Sequence, residues 1–122
     1  MLSRFYIPGG LLSVAVALTI SAGASASPVA SAAKTCTPPK YPGSGYFTSL
    51  SVTGTSCSTG SALAKSYYKC RTAHGLKGRC TKKVSGYSCT EKRTSIATEI
   101  NARVTCKKGK ATVKHSYQQN LD

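Results

Sequence analysis

The sequence predicts an α+β domain, one helix packed on a small antiparallel sheet in the order β-α-β-β-β, with disulfide staples. Three features point there. Apolar and polar residues alternate over 46–53 and again over 96–106, the period of a strand with one buried face. Between them Leu63, Tyr67 and Cys70 recur at spacings of four and three, the period of a helix. Six cysteines (Cys36, Cys57, Cys70, Cys80, Cys89 and Cys106) stand in a chain of 122 residues, and an even number in a short chain is the pattern of a disulfide framework.

Residues 1–26 read as a secretory signal peptide. Arg4 is the only charge before an apolar run over 11–20, and the small residues Ala24-Ser25-Ala26 offer a cleavage site; Ala30-Ser31-Ala32 and Ser31-Ala32-Ala33 are later alternatives. The run is about half of the ~20 residues that span a bilayer, so no transmembrane segment is expected. Residues 27–45 are rich in Pro, Ser and Gly, and Pro38-Pro39 and Pro42-Gly43 argue for a tether fastened at Cys36. Residues 46–122 form the single domain, a size at which the core is small and covalent staples matter.

In the first strand, 46–53, Tyr46, Leu50 and Val52 are expected on one face and Ser49, Ser51 and Thr53 on the other. Ser56 is a suitable N-cap for a helix over 57–73. Lys69, Arg71 and His74 suit its C-terminal dipole, and Gly75 supplies a left-handed stop. A basic loop, 76–83, leads to a strand over 84–91 and a turn over 92–95. The strand over 96–106 sets Ile96, Ile100, Ala102, Val104 and Cys106 on one face, and Glu99, Asn101, Arg103, Thr105 and Lys107 on the other. After a turn over 107–110, the last strand is expected over 111–117. Pairing Cys106 with Ala111, Val104 with Val113 and Ile100 with Tyr117 keeps the apolar faces together, and a one-residue slip would not. Residues 118–122 read as a polar tail.

Strand direction constrains the bridges. If the first strand rises, the helix descends from Cys57 to Cys70. A rising strand would then carry Cys80 low and Cys89 high, and a descending one would carry Cys106 low. Bridged Cα atoms lie within about 7 Å, which predicts Cys57–Cys89, with Cys70–Cys80 and Cys36–Cys106. The same layout gathers Lys69, Arg71, Lys77, Arg79, Lys82, Lys83, Lys107, Lys108 and Lys110 at one basic pole.

The chain has 17 Lys and Arg against 3 Asp and Glu, a formal net charge of +14. Such a balance favours anionic polymers or a cell surface as partner, held without specific recognition of nucleic acid, and disfavours self-association, so a monomer is expected. No C-x-x-C occurs, and His74 and His115 lack ligand spacing, so neither metal nor cofactor is expected. The leading expectation is a secreted, non-enzymatic binding module for extracellular polyanions or the cell envelope. Two alternatives remain. Glu91 or Glu99, with Arg103 and His115, would serve a small ribonuclease if they converged, although the inferred register sets His115 on the other face from Glu99 and Arg103, and both glutamates otherwise read as surface residues balancing Lys92 and Arg103. The loop between Cys70 and Cys80 would serve a protease inhibitor, with Lys77 or Arg79 entering a trypsin-like pocket.

Thr53-Gly54-x-x-Cys57, the helix from Ala62 to Cys70, Gly86-Tyr87-Ser88-Cys89 and Arg103-Val104-Thr105-Cys106-x-x-Gly109 together resemble small secreted cysteine-containing domains of high-GC Gram-positive bacteria. The resemblance implies a secreted α+β domain and brings no site with it.

Overall fold

The computed structural model describes residues 32–122, together with Gly9, Gly10 and Ala17. Apart from those three residues, the expected signal peptide lies outside the described residues. The elements are β1 (Lys34–Thr35), β2 (Gly45–Thr53), α1 (Cys57–Thr72), β3 (Ser88–Ile96), β4 (Glu99–Lys108) and β5 (Ala111–Asn120). One helix packs on one face of a five-stranded antiparallel sheet of order β1-β2-β5-β4-β3, as the alternating and helical periods predict. The folded unit takes in part of the segment expected as a tether, since β1 pairs with Ser51 and Val52 and both Cys36 and Tyr41 are buried.

The helix forms where its cap requires. Ser56 accepts a hydrogen bond from the Thr59 N–H at 3.1 Å, satisfying one of the free donors of the first turn. Its inner face is Gly60, Leu63, Ala64, Tyr67 and Arg71. Leu50, Val52, Ile100, Val104 and Val113 meet it from the sheet, each nearly inaccessible to water. Val84 and Tyr87, paired with each other after the helix, also belong to this core.

Four expectations about strands need correction. A bulge between Phe47 and Ser49 reverses the alternation of β2, so Phe47 packs on the core while Tyr46 stands exposed. β3 begins at Ser88 and includes residues 92–95, which the density of charge and hydroxyls there had marked as a turn; Ile96 ends it, exposed. The β4–β5 hairpin closes tightly, with Lys108 opposite Ala111 and Gly109 at φ +55°. This moves the register by two residues, so Cys106 meets Val113 and Val104 meets His115. The inward faces survive, because a shift of two preserves them. β5 then continues through Gln119, which is fully buried.

The bridges are Cys36–Cys57, Cys70–Cys80 and Cys89–Cys106, with Cα–Cα separations of 5.6, 5.2 and 4.0 Å. Cys70–Cys80 was expected; Cys57–Cys89 and Cys36–Cys106 are overturned. The cause is direction. With β2 taken as rising, residues 73–87 climb the molecule as a long connection, and β3 descends. Cys89 and Cys106 are therefore cross-strand partners. Cys36 follows a strand antiparallel to β2, with its N–H on the Leu50 carbonyl, which brings it up towards the helix start.

Gly60 is where helix and sheet come closest: a Cβ there would meet Val52 Cγ1 at 2.6 Å. Val52 is buried to 1 % exposure and cannot retreat. Gly60→Ala is expected to destabilise by about 1 kcal/mol, since overpacking of roughly 1–3 kcal/mol is set against a helix-propensity gain of about 1. Denaturant unfolding checks this; an unchanged or raised midpoint would show that the interface yields.

Candidate functional site

Between helix and sheet lies a polar cluster built around Glu91. The carboxylate was expected at the surface, but β3 turns it inward and its side chain is 5 % exposed. It accepts from Arg93 Nε at 2.7 Å, from Tyr67 Oη at 3.2 Å, from Arg79 Nη1 at 3.4 Å and from the Tyr117 hydroxyl. Burial and the neighbouring carboxylate both hold the Tyr67 and Tyr117 hydroxyls protonated, well above the usual phenol range. Burial opposes the charge on Arg93, but the Glu91 hydrogen bond and Tyr117 outweigh it and raise its pKa.

Arg71 was expected among the polyanion-binding cations. It is instead 1 % exposed. Its Nη2 donates to Tyr41 Oη at 2.6 Å and Gln119 Oε1 at 3.1 Å, and its guanidinium lies 4.2 Å from the Tyr117 ring centre. Among the described residues it has no carboxylate partner. Arg71 lies four residues beyond Tyr67 and so shares the buried face of α1; that spacing was legible in the sequence, and only its charge argued otherwise. Tyr41, pushed up to about 12 by burial, and Gln119 were both missed, one in a proline-rich segment and one in an apparent tail.

These two arginines hold the loop after the helix. Residues 75–78 form a turn closed by the Gly78 N–H on the Gly75 carbonyl. Arg71 Nη1 donates to the Leu76 carbonyl at 2.8 Å, Arg93 Nη1 to that of Lys77 at 2.9 Å, and Arg93 Nη2 to that of Gly78 at 2.8 Å. Three consecutive carbonyls thus face the protein. A protease bound in substrate fashion needs the scissile carbonyl aimed outward at its oxyanion donors, so this geometry disfavours Lys77 as the residue presented to such an enzyme. Arg79 is drawn toward Glu91.

The expected basic pole is spread into a band. Lys69, Arg79, Lys82 and Lys83, with His74, line one cleft of about 460 Å³ between the second half of α1 and the following loop. Lys77 lies beyond its lower end, beside Leu121. Lys107, Lys108 and Lys110 lie at the opposite end, because the β4–β5 turn sits beside Gly54 at the top of β2. Lys108 reaches over the Tyr87 ring, 5.7 Å from its centre, and so connects the loop to that end.

The ribonuclease trio does not converge. Arg103 pairs with Ser116 and is exposed, while the neighbouring His115 pairs with Val104 and is buried on the helix side. Glu99 lies at the far end of β4, opposite Asn120. Among the described residues no group of three His, Cys, Asp or Glu could hold a metal ion, and no helix is long and apolar enough to cross a membrane.

His115 is packed among Phe47, Tyr67 and Tyr117, and neither ring nitrogen has a hydrogen-bond partner among the described residues. Burial lowers its pKa from 6.5 to about 4; Glu91 opposes the shift and Arg71 adds to it. Between those pH values the unfolded chain takes up a proton that the folded one refuses. The associated stability is therefore complete above about pH 6.5 and lost as pH falls towards 4, by about 3 kcal/mol. Comparing unfolding free energies at pH 7 and pH 4.5, His115→Phe is expected to lose less than the native chain; equal losses would acquit the histidine.

Compared with known family models, curated proteins and solved structures, the chain shows no match.

Proposed function

We propose that the protein is a secreted, disulfide-stapled, non-enzymatic binding module that associates with extracellular polyanions through its basic helix–loop band. The observation that carries this is the cleft in which Lys69, Arg79, Lys82 and Lys83 converge. Glu91, the acidic group nearest to it, is covered and occupied by Arg93 and two tyrosine hydroxyls; of the four cations it reaches only Arg79, at 3.4 Å, whose side chain stays 60 % exposed. Several cations facing one groove, with little opposing charge, hold a flexible anionic chain by point-charge contacts that displace its counterions. Three disulfides are compatible with an oxidising, extracellular setting.

The cleft is also well supported for such a role. The Cys70–Cys80 bridge ties its two walls, and the buried arginines fix the chain entering it. Lysines projecting from a fixed frame lose only their own side-chain freedom when they bind.

Retention on immobilised heparin is expected to fall steeply with added salt. Lys69→Gln, Lys82→Gln and Lys83→Gln together should lower the slope of log K against log salt by roughly 2 to 3. Elution that ignores salt, or a slope that the triple variant leaves unchanged, would remove this reading.

A further inference from the structure

The sheet has a second face, which no helix covers among the described residues. On it Lys92 of β3 and Arg103 of β4 are direct cross-strand partners, and Lys114 of β5 lies diagonal to Arg103, opposite Thr105. All three are exposed. Like charges directly opposite each other are about 5 Å apart at Cβ and destabilise a sheet. Among the described residues none of the three is ion-paired. Glu91, next to Lys92 in sequence, points through to the other side, and Glu99 stands at the distant end of β4. A fold that concentrates repulsion here and leaves it unrelieved has the character of a site awaiting an anion.

The surface is shaped as well as charged. Two adjoining depressions of about 460 and 450 Å³ share Lys92, Arg103 and Ser116, making one trough across β2, β3, β4 and β5. Thr90 and Thr105, partners on β3 and β4, add hydroxyls that donate to phosphate oxygens or accept from a polyol. Among the described residues no exposed aromatic ring stands in the trough. Tyr117 is buried on the helix side, and Tyr46 lies at the lower end, opposite Gln118. A single-stranded nucleic acid would therefore find charge without the aromatic platform on which successive bases stack. An acyclic chain has no ring to stack.

We infer that the open face of the sheet is a separate ligand surface, fitted to an acyclic polyol-phosphate chain laid across β3, β4 and β5. The diagonal from Arg103 to Lys114 is about 7–8 Å. A glycerol-phosphate repeat has six backbone bonds, roughly 7 Å when extended, so two successive phosphates match Arg103 and Lys114, and Lys92, directly across from Arg103, shares the first. The face lies across the sheet from the helix–loop cleft and does not depend on it.

The test uses purified poly(glycerol phosphate), with binding followed by calorimetry at fixed low salt. The variant Lys92→Thr, Arg103→Thr, Lys114→Thr keeps strand-forming residues in place and is expected to weaken binding about tenfold or more. The variant Lys34→Gln, Lys40→Gln, Lys65→Gln removes the same charge from exposed positions outside both surfaces and should weaken it less than about threefold. Amide shift mapping on the native protein gives a second readout that needs no variant: changes are expected along β3, β4 and β5. Equal weakening by both variants, or shifts confined to 77–83, would overturn the sheet site while leaving polyanion binding through the cleft intact. Failure to bind this polymer, with heparin retention preserved, would overturn it too. A single-stranded oligonucleotide of equal charge that held the same face as tightly would overturn the ligand class.

Discussion

One carboxylate organises the interior. Glu91 on β3 takes hydrogen bonds from a helix residue, Tyr67, from a β5 residue, Tyr117, and from Arg93 on its own strand. Sheet, helix and loop are thereby joined at one buried charge. A buried carboxylate is tolerated only where its lone pairs are filled and a cation is adjacent, and both conditions hold. Arg71 lacks such a partner among the described residues; it is accommodated by carbonyl and hydroxyl acceptors and by the tyrosine rings beside it. The positive interior extends the positive exterior, and three covalent bridges tie the helix start to the segment after β1, the helix end to the following loop, and β3 to β4.

Much of the architecture was legible in the sequence because it rests on short-range rules. The cap at Ser56, the helical spacing of Leu63 and Tyr67, and the alternation of Ile100, Ala102, Val104 and Cys106 each act over a few residues. What was missed depends on long-range geometry. A bulge beside Thr48 inverts a face without any glycine or proline to announce it. The direction of β3 depends on how far 73–87 travel, and reversing it changes two disulfides and spreads the cations along the molecule. Arg71, Glu91 and Gln119 were misplaced for one reason: polarity was read as exposure. Each is buried because partners distant in sequence meet it, Gln119 receiving the Tyr41 hydroxyl at 2.5 Å and donating to the Ser44 carbonyl at 2.9 Å.

Two surfaces of different character follow from this plan. The helix side carries a furrow whose walls are a helix and a bridged loop, and its lysines project from both. The other side is an open trough on the sheet, and its cations stand at positions fixed by strand pairing. Flexible electrostatics suits the first and regular spacing suits the second. The open face had been read only as the outward half of an alternation, because charges on separate strands become neighbours only when the pairing is known. Lys92 gave the weakest signal, lying in a stretch taken for a turn.

The loop at the foot of the helix has a consequence for resistance to proteolysis. Lys77 and Arg79 are the residue types that many digestive enzymes seek, and they sit on the surface. Cleavage nevertheless demands that several residues straighten and enter a catalytic groove. Here the carbonyls of Leu76, Lys77 and Gly78 would first have to abandon two guanidinium groups, and the Cys70–Cys80 bridge would hold the ends together afterwards. A cut after Lys77 is thus resisted by the fold itself, and a nick there would leave the two pieces joined.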